Sequence, residues 1–457
     1  MYESDTQLIV VLIAVTYLAV LLWMEYKLMQ ERENSIAAVP AWRSPFLLKH
    51  AHFITFVMLC VVPYLACFDP TSTSTDLLVL LTAMAIGKGF AIWNRKVSLS
   101  GHTGEIRRIV LDALVPALAF VGSFQPNWEK WNQLYKYHDY LRWTGLFPNP
   151  NNFGVVMGVG VVLSVGLLVI RLQGKWCFLR QQTVKTSWRS WAMLSVVCPM
   201  VFLGLLKSFS RGAWLGTFLG LIYLGVSLRK LYNAMPVSCK KNVDALRSTF
   251  GLNQEAKPLL RKKSVKFAAL FAALTLLALL AGFACISARH AEQLILKRTL
   301  SVANATDLSW RNRISAYVGA LQMINDRPWA GFSWNQYELM YSEYYMDSRL
   351  TDGSVISSNS YFMLGIGVGL PALYTFAAYI WLSFAAIQLP RNPDFREKTS
   401  ENRDSNDDMV GWLVQAETVV CRASAVVLLV GFWFDDGLFL LPLAVVFWTL
   451  LELIVPD

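Results

Sequence analysis

Two arginines stand where an apolar chain has little use for charge. Arg211 lies in KSFSRGAWLG, Lys207 to Gly216, a short polar break between two apolar runs. Arg313 lies in DLSWRNRISAYVGALQMINDRP, Asp307 to Pro328, two residues beyond Arg311. A guanidinium stays charged and donates two parallel hydrogen bonds to a phosphate or carboxylate. At the start of a helix it joins free backbone N–H groups and the positive end of the helix dipole. Such residues can bind an anion and stabilise charge that develops on a leaving group. The bland alternative is a cation that snorkels to lipid headgroups from a span end. That alternative suits Lys207. Arg211, which leads into the small residues Gly212, Ala213, Gly216 and Gly220, is the better anion ligand.

Three further polar segments interrupt the apolar pattern. TGLFPNPNNFGVVMG, Thr144 to Gly158, carries Asn149, Asn151 and Asn152 in an enforced turn. Asn151 or Asn152 caps the helix that follows, or the amides orient polar groups of a ligand. SSNSYFMLGIGVGLPALY places Ser358, Asn359 and Tyr361 at the entry to another apolar run, where Asn359 also suits an ordinary N-cap. WNQYELMYSEYY puts Tyr337, Tyr341 and Tyr344 on one helical face. Aromatic stripes of that kind are core or interface anchors, with sugar stacking as the functional alternative.

These segments need a scaffold, and the composition identifies its kind. Of 457 residues, 55% are hydrophobic and 16% charged, against roughly 25% charged in soluble domains. Apolar runs occur at approximately 8–24, 51–68, 77–93, 109–125, 153–171, 191–206, 212–228, 265–287, 360–387, 418–434 and 437–455. They predict an all-α polytopic transmembrane bundle of about eleven spans, within ten to twelve. The alternating ten-residue segments of a β-barrel are not seen. The run at 8–24 follows Glu3 and Asp5 without a basic leader, so it is expected to be a retained span.

Lys and Arg concentrate in every second connection: 25–50, 94–108, 172–190, 229–264 and 388–417, the last a polar stretch expected to be a flexible linker. This alternation predicts an external N-terminus and an internal C-terminus. It also explains the net charge of +10 without a nucleic acid. The external side then receives 126–152, the Lys207–Arg211 turn, the segment 288–359 and the Asp435-Asp436 turn. Cations there, Arg142, Arg211, Arg311 and Arg313 among them, run against the topological rule and call for a bound anion. The expected division is an N-terminal bundle at 1–287, an external helical segment at 288–359 and C-terminal spans at 360–457. The seven cysteines show no CxxC or Cys/His spacing, so neither a disulfide framework nor a metal site is expected.

Taken in chain order, four of these segments resemble the O-antigen ligase/polymerase superfamily of bacterial membrane glycosyltransferases. TGLFPNPNNFG is similar to its Gly-x-Phe-x-Asn-x-Asn-x-Phe element. SFSRGAWLG is similar to its Ser-Arg-Gly segment, which puts Arg211 on the family's key arginine. RISAYVGALQMINDRPWAGF resembles its Arg-x3-aromatic run ending in Pro-x-x-Gly, which puts Arg313 on the second. SNSYFMLGIGVGLPAL resembles its His-Asn-x-Tyr block.

The resemblance implies a GT-C-like enzyme of the bacterial inner membrane, with its active site facing the periplasm. It implies inverting, metal-independent transfer of a glycan from undecaprenyl diphosphate to a hydroxyl of a saccharide or of lipid A-core, with no cofactor. Arg211 and Arg313 would be catalytic; Asn149, Asn151, Asn152, Arg311, Ser358, Asn359 and Tyr361 would bind substrate. Membrane lipids are the remaining expected partners. Where family ligases have His-Asn, this chain has Ser358-Asn359, and a serine is no base near neutral pH. The base is therefore unassigned, with His138, His290, Glu343, Asp347 and Asp352 all on the external side. The alternatives are a transporter or flippase for a lipid-linked glycan and a cell-wall polymerase of the shape and division type.

Overall fold

The structure, a computed structural model, describes residues 16–17, 19–27, 45–66, 75–99, 105–123, 136–137, 140–178, 188–233, 308–334, 336–346, 359–385 and 405–454. The expected span at 265–287, most of the one at 8–24 and most of the basic connection 229–264 lie outside these residues. So do Asp307, Ser358, His138, His290, Asp347 and Asp352.

In chain order the elements are α1 (Pro45–Ala66), α2 (Thr75–Leu99), α3 (Glu105–Ser123), the strands β1 (Lys136–Tyr137) and β2 (Tyr140–Leu141), α4 (Pro150–Phe178), α5 (Trp188–Lys207) and α6 (Arg211–Asn233). There follow α7 (Leu308–Asp326), the single turn α8 (Tyr337–Met340) with a π-helical turn at Tyr341–Tyr345, α9 (Ser360–Val368), α10 (Leu370–Ala385), α11 (Ser405–Gly431) and α12 (Leu441–Ile454). The chain is a helical, multi-pass membrane protein. Among the described residues four helical segments are long and apolar enough to cross a bilayer: Thr75–Ser98, Pro150–Arg171, Arg211–Asn233 and Gly411–Gly431. Shorter apolar segments lie at His50–Val62, Val196–Lys207, Leu370–Ala385 and Leu441–Ile454.

Two local expectations are corrected. The run at 360–387 is not one helix but two, α9 and α10, broken at Gly369. The polar stretch 388–417 is helical from Ser405 onward, where α11 begins. Between α3 and α4 a two-residue antiparallel ladder sets Lys136 opposite Leu141 and Tyr137 opposite Tyr140.

The chain forms two compact units, Met1–Ile106 with Ala303–Arg391 and Leu428–Asp457, and Arg107–Val302 with Asn392–Val427. In the first, α2 lies so close to α12 that a Cβ on Gly87 would meet the Trp448 carbonyl carbon at 2.7 Å. In the second, a Cβ on Gly220 would meet the Ala423 carbonyl oxygen of α11 at 2.9 Å. Close backbone approach through small residues is how apolar helices associate where burial from water gives no drive.

Ionisable residues inside such a bundle must be paired. In the first unit Lys88 is fully buried, 3.1 Å from Glu25 and 2.9 Å from Glu452. Arg95 reaches Glu25 at 2.6 Å, and the Tyr379 hydroxyl donates to Glu452. His52 Nε2 lies 3.0 Å from the Ser383 hydroxyl. In the second unit Arg108 pairs with Glu417 at 3.1 Å, Arg107 donates to the Thr418 hydroxyl at 3.0 Å, and Arg171 pairs with Asp112. Within each unit these groups sit toward helix ends that the basic-loop count assigns to the internal side.

Candidate functional site

In the second unit the Asn-rich turn and the Ser-Arg-Gly turn are tied together. Asn149 Oδ1 accepts from the backbone N–H groups of Asn151 and Asn152, both at 2.9 Å. Asn149 is thus the N-cap of α4 and Pro150 its first residue, where a missing N–H costs nothing. The expected cap at Asn151 or Asn152 is corrected: both already lie inside the first turn. Asn152 is fully buried, and Asn151 Oδ1 accepts from Arg142 Nη2 at 2.9 Å.

Arg142 also donates through Nε to the carbonyl of Ser208 at 2.8 Å, and Trp143 N donates to the carbonyl of Lys207 at 3.0 Å. The Ser208–Ser210 turn is tight. Its central Phe209 has φ of 50°, a left-handed backbone that a bulky residue adopts only under constraint. The Ser208 hydroxyl donates to Leu205 O at 2.7 Å and accepts from Ser210 N at 3.2 Å. Ser210 accepts from Ala213 N through Oγ at 3.4 Å and from Trp214 N through its carbonyl at 3.1 Å. Ser210 is the N-cap of α6 and Arg211 its first residue. The half-buried Arg211 therefore stands at a helix start, as its sequence suggests, on a strained turn that Arg142 fastens to the Asn segment.

In the first unit three side chains converge on the carbonyls where α11 ends. Arg313 Nη1 donates to Phe434 O at 2.5 Å, the Tyr317 hydroxyl to Trp433 O at 3.0 Å, and Asn359 Nδ2 to Trp433 O at 3.0 Å. These bonds satisfy backbone carbonyls of the turn that follows α11. Asn359 is fully buried and caps α9, its Oδ1 accepting from Tyr361 N at 2.9 Å and Phe362 N at 3.1 Å. Ser360 donates from its hydroxyl to Asp435 O at 2.7 Å, and Tyr361 from its hydroxyl to Leu429 O at 2.6 Å. Asn359 and Tyr361 thus hold the frame around Arg313. Arg311 lies on α7 in the turn before it, and Ser358 lies outside the described residues.

The Pro-x-x-Gly turn, Pro328 to Gly331, docks into the break between α9 and α10. Phe332 N donates to Ile366 O at 2.7 Å, Ser333 N to Gly367 O at 3.1 Å, and Leu370 N to Pro328 O at 2.8 Å. Carbonyls freed by the break are thus satisfied inside the protein, as a bilayer requires. Gly331 (φ 65°) and Gly369 (φ 93°) both have left-handed backbones here. A Cβ on Gly331 would lie 2.4 Å from Ile366 O, and one on Gly369 2.5 Å from Trp329 O. The spacing of these glycines in the sequence is the imprint of two backbones crossing.

Carboxylates complete this end of the unit. The Tyr337 hydroxyl faces Asp76 at 3.5 Å, and Tyr337 is held above its ordinary value by burial and by the charge of Asp76. Asp435 is buried, and burial, then the neighbouring Asp436, push it up to about 8, while Arg313 pulls it down. A carboxyl so poised exchanges a proton near neutrality. Sequence reasoning placed Asp435 only in an external turn and Arg142 only among external cations. The adjacent carboxylates at 435 and 436, and an arginine nine residues before an Asn pair, were the available signals. The expected single face of Tyr337, Tyr341 and Tyr344 is also corrected. Tyr337 and Tyr341 are buried, whereas Tyr344 is 71% exposed, because the π-helical turn shifts the register.

The architecture is that of a multi-pass helical membrane protein, with Arg211 the first residue of α6 and Arg313 in the early turns of α7. Residues 196–377 match the family described as O-antigen ligase, a segment that holds Arg211, Arg313 and Asn359 but less than half of the chain. Over those residues the chain is similar to that family, and the match falls on three of the four segments that carry the O-antigen ligase/polymerase resemblance in the sequence. No curated protein and no solved structure matches it.

Proposed function

We propose that the protein transfers a glycan from undecaprenyl diphosphate to an acceptor hydroxyl on the periplasmic side of a bacterial inner membrane. The acceptor is a saccharide chain or lipid A-core. The observation that carries this reading is Arg211 at the first position of a capped helix, on a strained turn fastened by Arg142. Preorganised positive charge at a helix start suits a diphosphate that gains charge as it leaves.

In the proposed reaction the acceptor oxygen attacks the anomeric carbon from the face opposite the diphosphate, and the configuration inverts. The bond from that carbon to the diphosphate oxygen breaks, and Arg211 and Arg313 take up the developing charge without a metal ion. The acceptor proton passes to the ionised carboxylate of Asp435, which fills the part that Ser358 is chemically unable to fill. Asn149, Asn151 and Asn152 shape the donor side through the α4 cap. Asn359 and Tyr361 hold the Arg313 end, and Arg311 and Ser358 add contacts to substrate. Support for the orientation comes from the clustering, within each unit, of groups that the loop count assigns to the same side.

The test is transfer by purified protein supplied with an undecaprenyl-diphosphate glycan and candidate acceptors, followed by mass analysis. A lengthened lipid-linked chain identifies a polymerase and a new lipid A-core conjugate a ligase. Movement of the lipid-linked glycan across vesicles without any new glycosidic bond would replace this reading with transport.

A further inference from the structure

We infer that the flank of α7 turned away from the 433–435 turn is a binding cleft for neutral sugar units of the glycan, and that Tyr344 is its stacking platform. This assignment rests on the glycosyltransferase reading and names a subsite that the diphosphate chemistry does not require. A cleft of about 550 Å³ opens there, lined by Val318, Leu321, Gln322, Asn325, Asp326, Tyr344 and Tyr345. That volume falls within the range of small-ligand sites, roughly 300–1,000 Å³.

The lining has the chemistry a sugar demands. A pyranose offers an apolar face to an aromatic ring and a rim of hydroxyls that both donate and accept. Gln322 and Asn325 each supply an acceptor and two donors from one amide, and Asp326 supplies acceptors. The Tyr345 hydroxyl donates to Asp326 Oδ2 at 2.6 Å, which fixes that carboxylate at the edge of the cleft. Tyr344 and Leu321 are 71% and 57% exposed, so the aromatic and apolar surface is not spent on packing. Anionic lipid headgroups would call for Lys or Arg, and none of the seven lining residues is basic.

The local backbone is built to present this arrangement. Tyr341–Tyr345 forms a π-helical turn, a feature that recurs at functional sites. It buries Tyr341 against Gly319, where a Cβ would meet the Tyr341 ring at 2.6 Å, and turns Tyr344 outward. The cleft residues of α7 follow Arg313 by five to thirteen positions, roughly 8–20 Å along the axis. That places them on the reach of a saccharide whose reducing end is held at the Arg313 end of the helix.

The probe is the oligosaccharide released by mild acid from the host's own surface polysaccharide, titrated against the full-length protein in nanodiscs. Binding should be seen with the wild type, and Tyr344→Ala or the pair Gln322→Ala/Asn325→Ala should weaken it by about tenfold, equivalent to 1.4 kcal/mol. In transfer assays the same variants should raise KM and spare kcat, which a folding defect would not do. Phosphatidylglycerol vesicles form the second arm, and their binding should be unchanged. Wild-type affinity and KM in both variants would overturn the cleft while leaving the transfer reading intact. Lost vesicle binding with unchanged sugar binding would reassign the cleft to lipid. Sugar binding that depends on Tyr344 in a protein without transfer activity would uphold the cleft and overturn the transferase reading.

Discussion

Arg142→Met removes a guanidinium and keeps an apolar stem of similar length. Arg142 donates to Ser208 O at 2.8 Å and to Asn151 Oδ1 at 2.9 Å. Hydrogen bonds from a charged donor are worth about 1.5–3 kcal/mol each, and partial exposure puts both at the low end, so the turn loses about 3 kcal/mol of restraint. The left-handed backbone of Phe209 stores about 1–2 kcal/mol. Restraint lost therefore exceeds strain held, and the turn relaxes. Arg211, two residues beyond Phe209, moves with it, and a displacement on the order of 1 Å costs about a hundredfold in rate. The assay is steady-state transfer by purified protein, with melting temperature measured in parallel. The expected result is a large fall in kcat with a melting temperature lowered by only a few degrees. Arg142→Lys, which retains one donor at a time, should fall in between. A wild-type kcat in Arg142→Met, with the protein correctly folded, would refute the positioning argument.

The raised proton affinity of Asp435 means that the folded chain holds a proton that the unfolded chain, near the ordinary value of 3.8, has released. Stability should accordingly fall as pH rises from about 4 to about 8 and level off above it. Transfer should rise through the same upper region as the base ionises, and Asp435→Asn should flatten both profiles. Gly331→Ala places a Cβ 2.4 Å from Ile366 O at a φ of 65°. Strain and overpacking together should cost about 2–4 kcal/mol, read as a lowered melting temperature. Lys88→Met leaves Glu25 and Glu452 facing each other with less compensation and should cost about 3 kcal/mol. Adding Glu452→Gln should restore much of that loss, a coupling visible in a double-mutant cycle.

Much of the fold was legible because bilayer solvation is unforgiving. Apolar runs, loop cations and proline punctuation located α1 to α6 and the ends of α11 and α12. The break at Gly369 was not legible as a break, since the residues on both sides are apolar and hydropathy is blind to φ. Its cause lies forty residues upstream in the Pro328–Gly331 turn, a partner that only folding supplies. The helical part of 388–417 was hidden because its polarity resembles that of a linker.

Of the candidate site, Arg211 was legible as a helix-start cation because Ser-Arg-Gly follows a polar break. The role of Asn149 was misassigned to its neighbours because Pro150 shifts the cap by two residues. Asp435 and Arg142 escaped because their surroundings, a bundle terminus and a strained turn, are made by segments distant in sequence.

The most direct measurement is the rate of glycan transfer from undecaprenyl diphosphate by purified Arg211→Ala, Arg211→Lys and Arg313→Ala proteins, each checked for correct folding. The account predicts loss of transfer in both alanine variants and impaired transfer in Arg211→Lys, because an ammonium lacks the paired donors that grip a diphosphate. Wild-type rates in the two alanine variants would contradict it.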